Sequence, residues 1–191
     1  MHHIYHTQGI VLSSRNFGET GKTYTIFTRD LGMVYATAQG VRKMSSKLRF
    51  VLQDFAYLKI DLVKGKDFWR ITSVSRTDEL EKLSRPETFP IFANIARLLK
   101  RLLSGEEANE ELFNDLLQGL SVLEKAETKE ELENTEAILV LRILYRLGYI
   151  GGGNLEDFTQ SPFAEELLFK VSKNRAKILR QINQALKETH L

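Results

Sequence analysis

The chain has 191 residues with 27 Lys/Arg, 25 Asp/Glu and no Cys, a formal net charge of +2. Its ordinary composition excludes disorder, collagen and a disulfide scaffold, and the missing Cys removes thiol nucleophiles, Fe–S clusters and Cys-type zinc sites. No apolar run reaches the ~18–20 residues of a membrane span, and Met1 to Tyr5 lack a secretory apolar stretch.

Five strands are predicted in the first 75 or so residues. Gln8–Arg15 contains Ile10-Val11-Leu12, and Thr20–Arg29 contains Thr23-Tyr24-Thr25-Ile26-Phe27-Thr28. Val34, Ala36 and Ala38 alternate with Tyr35, Thr37 and Gln39. Ala56, Leu58, Ile60 and Leu62 alternate with Tyr57, Lys59 and Asp61, and Phe68 to Val74 is rich in strand formers. A period of two with β-branched and aromatic residues marks half-buried strands. Gly18, Asp30 to Gly32 and Lys64-Gly65-Lys66-Asp67 supply the turns. Leu48, Val51 and Leu52 fall at i, i+3, i+4 and predict a short helix between the third and fourth strands. That order is the order of an OB-type barrel, though other small all-β barrels fit the pattern.

After Arg85-Pro86 the period becomes helical. Phe89, Phe92, Ile95, Ala96, Leu99, Leu102 and Leu103 form one stripe, ending before Gly105 as C-cap. Leu112, Phe113, Leu116, Leu117, Leu120 and Leu123 form a second. Thr128 with Glu131 reads as a capping box for a third helix, apolar on most sides and ending at Gly148. Gly151-Gly152-Gly153-Asn154 reads as a flexible break. Ser161-Pro162 opens a fourth predicted helix, and Ser172 caps a fifth with Ile178, Leu179, Ile182, Ala185 and Leu186 inward. The fold class is therefore α+β with two domains: a barrel over 1–80 and an all-α helical bundle over 86–191.

Charge divides along the same line. Residues 1–80 hold 12 Lys/Arg and 7 Asp/Glu, a net of +5; residues 81–191 hold 15 and 18, a net of −3. The asymmetry points to an anionic partner for the barrel.

Familiar catalytic signals fail on context. Gly21-Lys22-Thr23 ends like a phosphate loop, but Asn16 stands where its first Gly belongs, and a strand follows instead of a helix. Gly151-Gly152-Gly153 follows a helix, unlike a dinucleotide fingerprint. His2, His3 and His6 lie on a terminus, His190 lies far away, and Asp54, Asp61 and Asp67 form no nuclease cluster. The expectation is no enzyme, no metal and no cofactor.

Arg42, Lys43, Lys47 and Arg49 place four cations in eight residues without an acid, and Arg15, Lys22, Arg29 and Arg70 add others. Phe17, Tyr24, Tyr35 and Trp69 lie between them in the chain. A nucleic-acid groove needs cations for phosphates and flat rings for bases. Solvated cations and core rings are the alternative reading. Farther on, Lys170, Lys173, Arg175, Lys177, Arg180 and Lys187 form a second acid-free run, whereas residues 106–136 hold 11 acids and two cations. These faces pair with each other or stay solvated, or the basic helix takes an acidic tail or extends the nucleic-acid track.

The barrel also carries an ordered set of motifs: Gly9-Ile10-Val11-Leu12-Ser13-Ser14-Arg15, Gly18-Glu19-Thr20, Thr28-Arg29-Asp30-Leu31-Gly32, Ala38-Gln39-Gly40-Val41-Arg42-Lys43, Ser46-Lys47-Leu48-Arg49, Leu52-Gln53-Asp54-Phe55 and Ile71-Thr72. This succession resembles the N-terminal domain of the bacterial RecO recombination mediators. Leu141-Arg142-Ile143-Leu144-Tyr145-Arg146-Leu147-Gly148-Tyr149 resembles the family's helix ending in Leu-Gly-Tyr. The resemblance implies a DNA-binding, strand-annealing protein of the cytoplasm and nucleoid. Such a protein binds single- and double-stranded DNA and helps RecA load onto DNA coated by single-strand-binding protein, with RecR as partner. Arg15, Arg29, Arg42, Lys43, Lys47 and Arg49 would carry the DNA, with a helical-domain site for the acidic tail of single-strand-binding protein. Lys173, Arg175, Lys177 and Arg180 are physically suited to that tail. Many members carry a four-Cys zinc module after the Leu-Gly-Tyr helix; the absence of Cys and the length imply a short form without it. The competing readings are a protein-interaction adaptor whose barrel no longer binds DNA, and an RNA-binding OB module.

Overall fold

The computed structural model describes residues 3–66, 68–77, 80, 85–151 and 153–188; His2, Asp67, Gly152 and His190 lie outside them. The chain divides into two compact units, residues 1–84 with 103–110, and residues 85–102 with 111–191.

In the first unit, strands β1 (Ile4–Phe17), β2 (Gly21–Thr28), β3 (Gly32–Ala38), β4 (Tyr57–Lys64) and β5 (Trp69–Arg76) close in the order β1-β2-β3-β5-β4. Helix α1 (Leu48–Val51) lies between β3 and β4, the arrangement of an OB-type barrel. Closure needs one strand to serve two neighbours. Ile4–Ile10 of β1 pair with β4 and Gly9–Phe17 with β2, and a bulge between Val11 and Ser13 bends the strand from one to the other. The other join is short: β3 meets β5, in parallel, at Ala36–Trp69 and Thr37–Arg70. Val11, Tyr24, Ile26, Val34, Ala36, Leu58, Ile60, Leu62, Trp69 and Ile71 fill the barrel, and Leu48, Val51 and Leu52 of the α1 segment pack against them.

Segment 103–110 belongs to this unit. Met33 of β3 donates its N–H to the Gly105 carbonyl at 3.1 Å, so Gly105 serves this strand edge instead of capping a helix. Gly32 has φ +69°, and a Cβ there would lie 2.2 Å from the Glu107 carbonyl oxygen. Only glycine fits both the left-handed backbone and this approach.

The second unit contains α2 (Phe89–Leu102), α3 (Glu110–Lys125), α4 (Lys129–Arg146), a 3₁₀ turn (Gly153–Leu155), α5 (Glu156–Thr159) and α6 (Glu165–Glu188). Thr128 Oγ1 accepts the Glu131 N–H at 3.2 Å, and the Glu131 carboxylate accepts the Thr128 N–H at 3.0 Å, the expected capping box. The Thr128 and Glu127 backbone N–H groups, both donating to it, hold the Glu131 carboxyl below the usual carboxylate range. Helix α4 ends in a Schellman motif: Gly148 at φ +78° donates to Tyr145, and Tyr149 donates to Leu144. Arg85 closes the end of α3 by donating to the Leu123, Glu124 and Ala126 carbonyls.

Three expectations fail here. Ser161-Pro162 do not open a helix; α6 starts at Glu165. Ser172 caps nothing, because it lies inside the unbroken 24-residue α6, with its hydroxyl on the Glu130 carboxylate. Leu179 is exposed, while Ile178, Ile182 and Ala185 are buried on the face toward α4.

Inside this unit sits a buried guanidinium. Arg142 donates to Asp115 Oδ1 at 3.0 Å, to the Phe158 carbonyl at 3.0 Å and to the Ser161 carbonyl, and its guanidinium lies 4.2 Å from the Phe163 ring centroid. Arg146 takes the other Asp115 oxygen at 2.6 Å and reaches exposed Glu111 at 2.5 Å. Removing one partner of a buried pair leaves an uncompensated charge. Asp115→Ala is expected to cost about 3–5 kcal/mol and Glu111→Ala less than about 1 kcal/mol. Urea unfolding followed by helical circular dichroism checks the contrast.

Candidate nucleic-acid interface

Strand alternation decides which side chains face outward. Tyr24, Ile26, Val34, Ala36, Trp69 and Ile71 point into the barrel. Their neighbours Thr23, Thr25, Tyr35, Thr37 and Arg70 therefore take the opposite face, where Tyr35 and Arg70 are exposed, Thr23 and Thr25 are half-buried, and Thr37 is buried with its hydroxyl on the Trp69 carbonyl. Register then aligns one row across four strands: Arg15 opposite Thr23, Thr23 opposite Thr37, and Thr37 opposite Arg70. With about 4.8 Å between strands, Arg15 and Arg70 stand about 14 Å apart along the sheet. The next row holds Ser13, Thr25 and Tyr35, and Tyr35 is 51% exposed. Phe17 is exposed at the end of β1.

The 42–49 segment joins this end of the barrel. The Arg42 N–H donates to the Thr20 carbonyl at 2.9 Å, and its guanidinium to the Gly18 and Glu19 carbonyls at 3.3 and 3.0 Å. Arg42 thus ties the cationic segment to the β1–β2 turn, next to Arg15 and Phe17. Lys22, beside the same turn, donates to Ser14 Oγ at 3.4 Å. Lys43, Lys47 and Arg49 are exposed. Arg49 reaches Met44 Sδ at 3.2 Å and lies 5.5 Å from the Phe50 ring centroid.

Other candidates lie elsewhere. Arg29 follows β2 at its opposite end, about 23 Å along the strand from Lys22. It lines an open cleft of about 530 Å³ with His6, Asp30, Lys59 and Asp61. Tyr24 is fully buried and points its hydroxyl at the Leu52 carbonyl at 3.5 Å. Burial and the Asp54 carboxylate push its phenol up to about 12, so it stays neutral. Trp69 is 4% exposed, edge-on to the Tyr5 ring at 5.0 Å, with its indole N–H on Glu106. Neither ring offers a face to a base as the barrel stands: both share the inward parity of their strands. Phe17 and Tyr35 are the two aromatic candidates on the surface.

Sequence reasoning passed over Met44, Phe50, Phe68 and Arg76. Met44 is 84% exposed, and Phe50 and Phe68 are also exposed. Phe50 falls off the Leu48, Val51, Leu52 stripe, a readable sign that it faces solvent. Arg76 donates to the Phe50 carbonyl, holding α1 to β5; only the fold brings those two together.

On α6, Arg175 is half-buried and pairs with Glu133 of α4 at 2.6 Å, and Ser172 meets Glu130. The basic and acidic faces therefore touch at this point. Lys173, Lys177 and Arg180 share the other stripe with exposed Phe169, whose ring centroid is 4.1 Å from the Lys173 ammonium.

The closed five-strand barrel with a helix between β3 and β4 is of the OB type, and its outer face gathers exposed Arg15, Tyr35 and Arg70 near the cationic 42–49 segment. Residues 1–79 match the family described as "Recombination protein O N terminal". The DNA repair protein RecO of Heliobacterium modesticaldum is 31% identical over 147 residues, 76% of this chain and 52% of that protein. Those of Caldicellulosiruptor bescii and Rubrobacter xylanophilus are 28% and 30% identical over 75% and 76% of this chain, and 58% of each relative. The chain is RecO-type, with the family's N-terminal barrel followed by helices. It spans about half the length of the curated relatives it matches. Among the described residues, no helix is long and apolar enough to cross a membrane.

The assignment of rings to core and surface is checked by thermal unfolding. Tyr24→Ala is expected to lose about 3–5 kcal/mol of stability, whereas Tyr35→Ala is expected to lose less than about 1 kcal/mol.

Proposed function

We propose that this chain is a non-enzymatic DNA-binding mediator of recombinational repair, working in the cytoplasm on nucleoid DNA. The observation that carries the reading is the outward Arg15–Thr23–Thr37–Arg70 row with Tyr35 above it, tied by Arg42 to the acid-free 42–49 segment. Lys and Arg neutralise phosphates and release counterions without touching base edges. A strand held by its backbone keeps its pairing edges free, so two such strands brought together can anneal. Arg15, Lys22, Arg42, Lys43, Lys47, Arg49 and Arg70 are assigned to phosphates, with Phe17 and Tyr35 as stacking rings; Arg29 serves a separate patch. The relatives, each named a DNA repair protein, support the repair context.

In this scheme annealing proceeds without ATP or metal and assists RecA loading. RecR and the acidic C-terminal tail of single-strand-binding protein are the proposed protein partners. Lys173, Lys177 and Arg180 suit an acidic tail, whereas Arg175 is already engaged by Glu133.

Changing Arg42, Lys43, Lys47 and Arg49 together to Glu is expected to weaken single-stranded DNA binding. It is also expected to flatten the slope of log affinity against log salt by up to about 3. Unchanged affinity across a salt series, measured by fluorescence anisotropy, would sink the assignment and favour an adaptor barrel; tighter binding of RNA in direct competition would favour an RNA module. Annealing of complementary oligonucleotides, naked or coated with single-strand-binding protein, is expected to continue in EDTA without nucleotide. A requirement for either overturns the non-enzymatic mechanism.

A further inference from the structure

The mouth of the barrel beside the β3–β5 join holds an anion contact made by the chain with itself. Trp69, the single tryptophan, has one polar atom, and its Nε1–H donates to Glu106 Oε1 at 2.7 Å. The Lys64 ammonium meets the other carboxylate oxygen, Oε2, at 2.9 Å and lies 5.2 Å from the indole centroid. Two donors from adjacent strands thus grip two oxygens of one anionic group, the geometry used for carboxylates and phosphates. The Lys64 hydrogen bond outweighs partial burial and, with the indole N–H, holds the Glu106 carboxyl below its ordinary range. Glu106 in turn holds the Lys64 ammonium above its own.

We propose that Lys64 and the Trp69 indole N–H form a notch for a phosphodiester oxygen, occupied at rest by Glu106, so that segment 103–110 competes with nucleic acid for the barrel mouth. The inference rests on the nucleic-acid-binding reading and adds to it a site and a regulator. Position supports it: Trp69 pairs with Ala36, between the outward Tyr35 and Arg70 on the two strands of the join. Accessibility supports it too, since the Lys64 and Glu106 side chains are 60% and 42% exposed, and exposed ion pairs are weak enough to exchange. The segment keeps independent anchors while its carboxylate leaves, because the Gly105 carbonyl holds the Met33 N–H and the Glu107 backbone lies against Gly32. A nucleic-acid occupant is favoured over an acidic peptide by the neighbouring exposed Arg70, Lys66 and Tyr35.

The test uses the full chain, a single-stranded DNA oligonucleotide and the emission of Trp69. Glu106→Gln keeps the shape and the acceptor for the indole but weakens the grip of Lys64. It is expected to bind the oligonucleotide at least about threefold more tightly than the parent, and saturating DNA is expected to shift Trp69 emission in both proteins. Glu107→Gln removes the same charge from the next residue and is expected to bind like the parent. Equal affinity of Glu106→Gln and parent, an equal gain in Glu107→Gln, or Trp69 emission unmoved at saturation overturns the notch while leaving DNA binding intact. No binding by any of the proteins overturns the DNA-binding reading and the notch with it.

Discussion

The barrel is closed by a parallel join only two residue pairs long, Ala36–Trp69 and Thr37–Arg70. So short a ladder needs reinforcement, and Trp69 supplies much of it. Its ring fills the barrel against Tyr5, and its carbonyl accepts the Thr37 hydroxyl at 3.3 Å. The same join fixes the outer surface. Because Ala36 and Trp69 face inward, Thr37 and Arg70 must face outward, and the row from Arg15 to Arg70 becomes continuous. The N-terminal part of β3 lies beyond the join, where a strand edge would otherwise offer unpaired backbone groups. Gly105 covers part of it through the Met33 N–H.

Much of this was legible in the chain, and the misses have physical causes. Leu58, Ile60 and Leu62 alternate cleanly because one face of β4 is buried and the other wet, so period two survives. The same parity held the answer for the aromatics: Tyr24 shares a face with Ile26, and Trp69 with Ile71. Counting rings near cations hid that information. Ser172 failed differently. A serine in a polar stretch carries the same local signal at a helix start as on an exposed helix face, and the distinction came from the Glu130 carboxylate 42 residues away. No local pattern pointed to segment 103–110 as part of the barrel unit, since its seat depends on the missing side chain of Gly32. Nor did composition separate Arg29 from the other cations; that needed the length of β2.

The helical unit shows how one charge organises irregular chain. Arg142 stands in an apolar run, Leu141-Arg142-Ile143-Leu144, where a charge costs several kcal/mol unless every donor is met. It is met by Asp115 from α3 and by carbonyls of Phe158 and Ser161. Among its described residues the chain between α4 and α6 holds a 3₁₀ turn and the four-residue α5, and these carbonyl contacts pin it to α4. The Schellman turn at Gly148 starts that excursion by reversing the backbone as α4 ends.

The pairing of Ile4 with Val63 has a kinetic consequence. Barrel closure must bring together residues almost sixty positions apart before its ladder is complete, and loop entropy is lost before those contacts form. In the other unit, helical turns and the capping box at Thr128 form from neighbours in the chain. The two halves should therefore acquire structure on different clocks, helices early and barrel late. During synthesis the barrel strands emerge first yet mature last, leaving β1 without its β4 partner until the chain has passed Lys64.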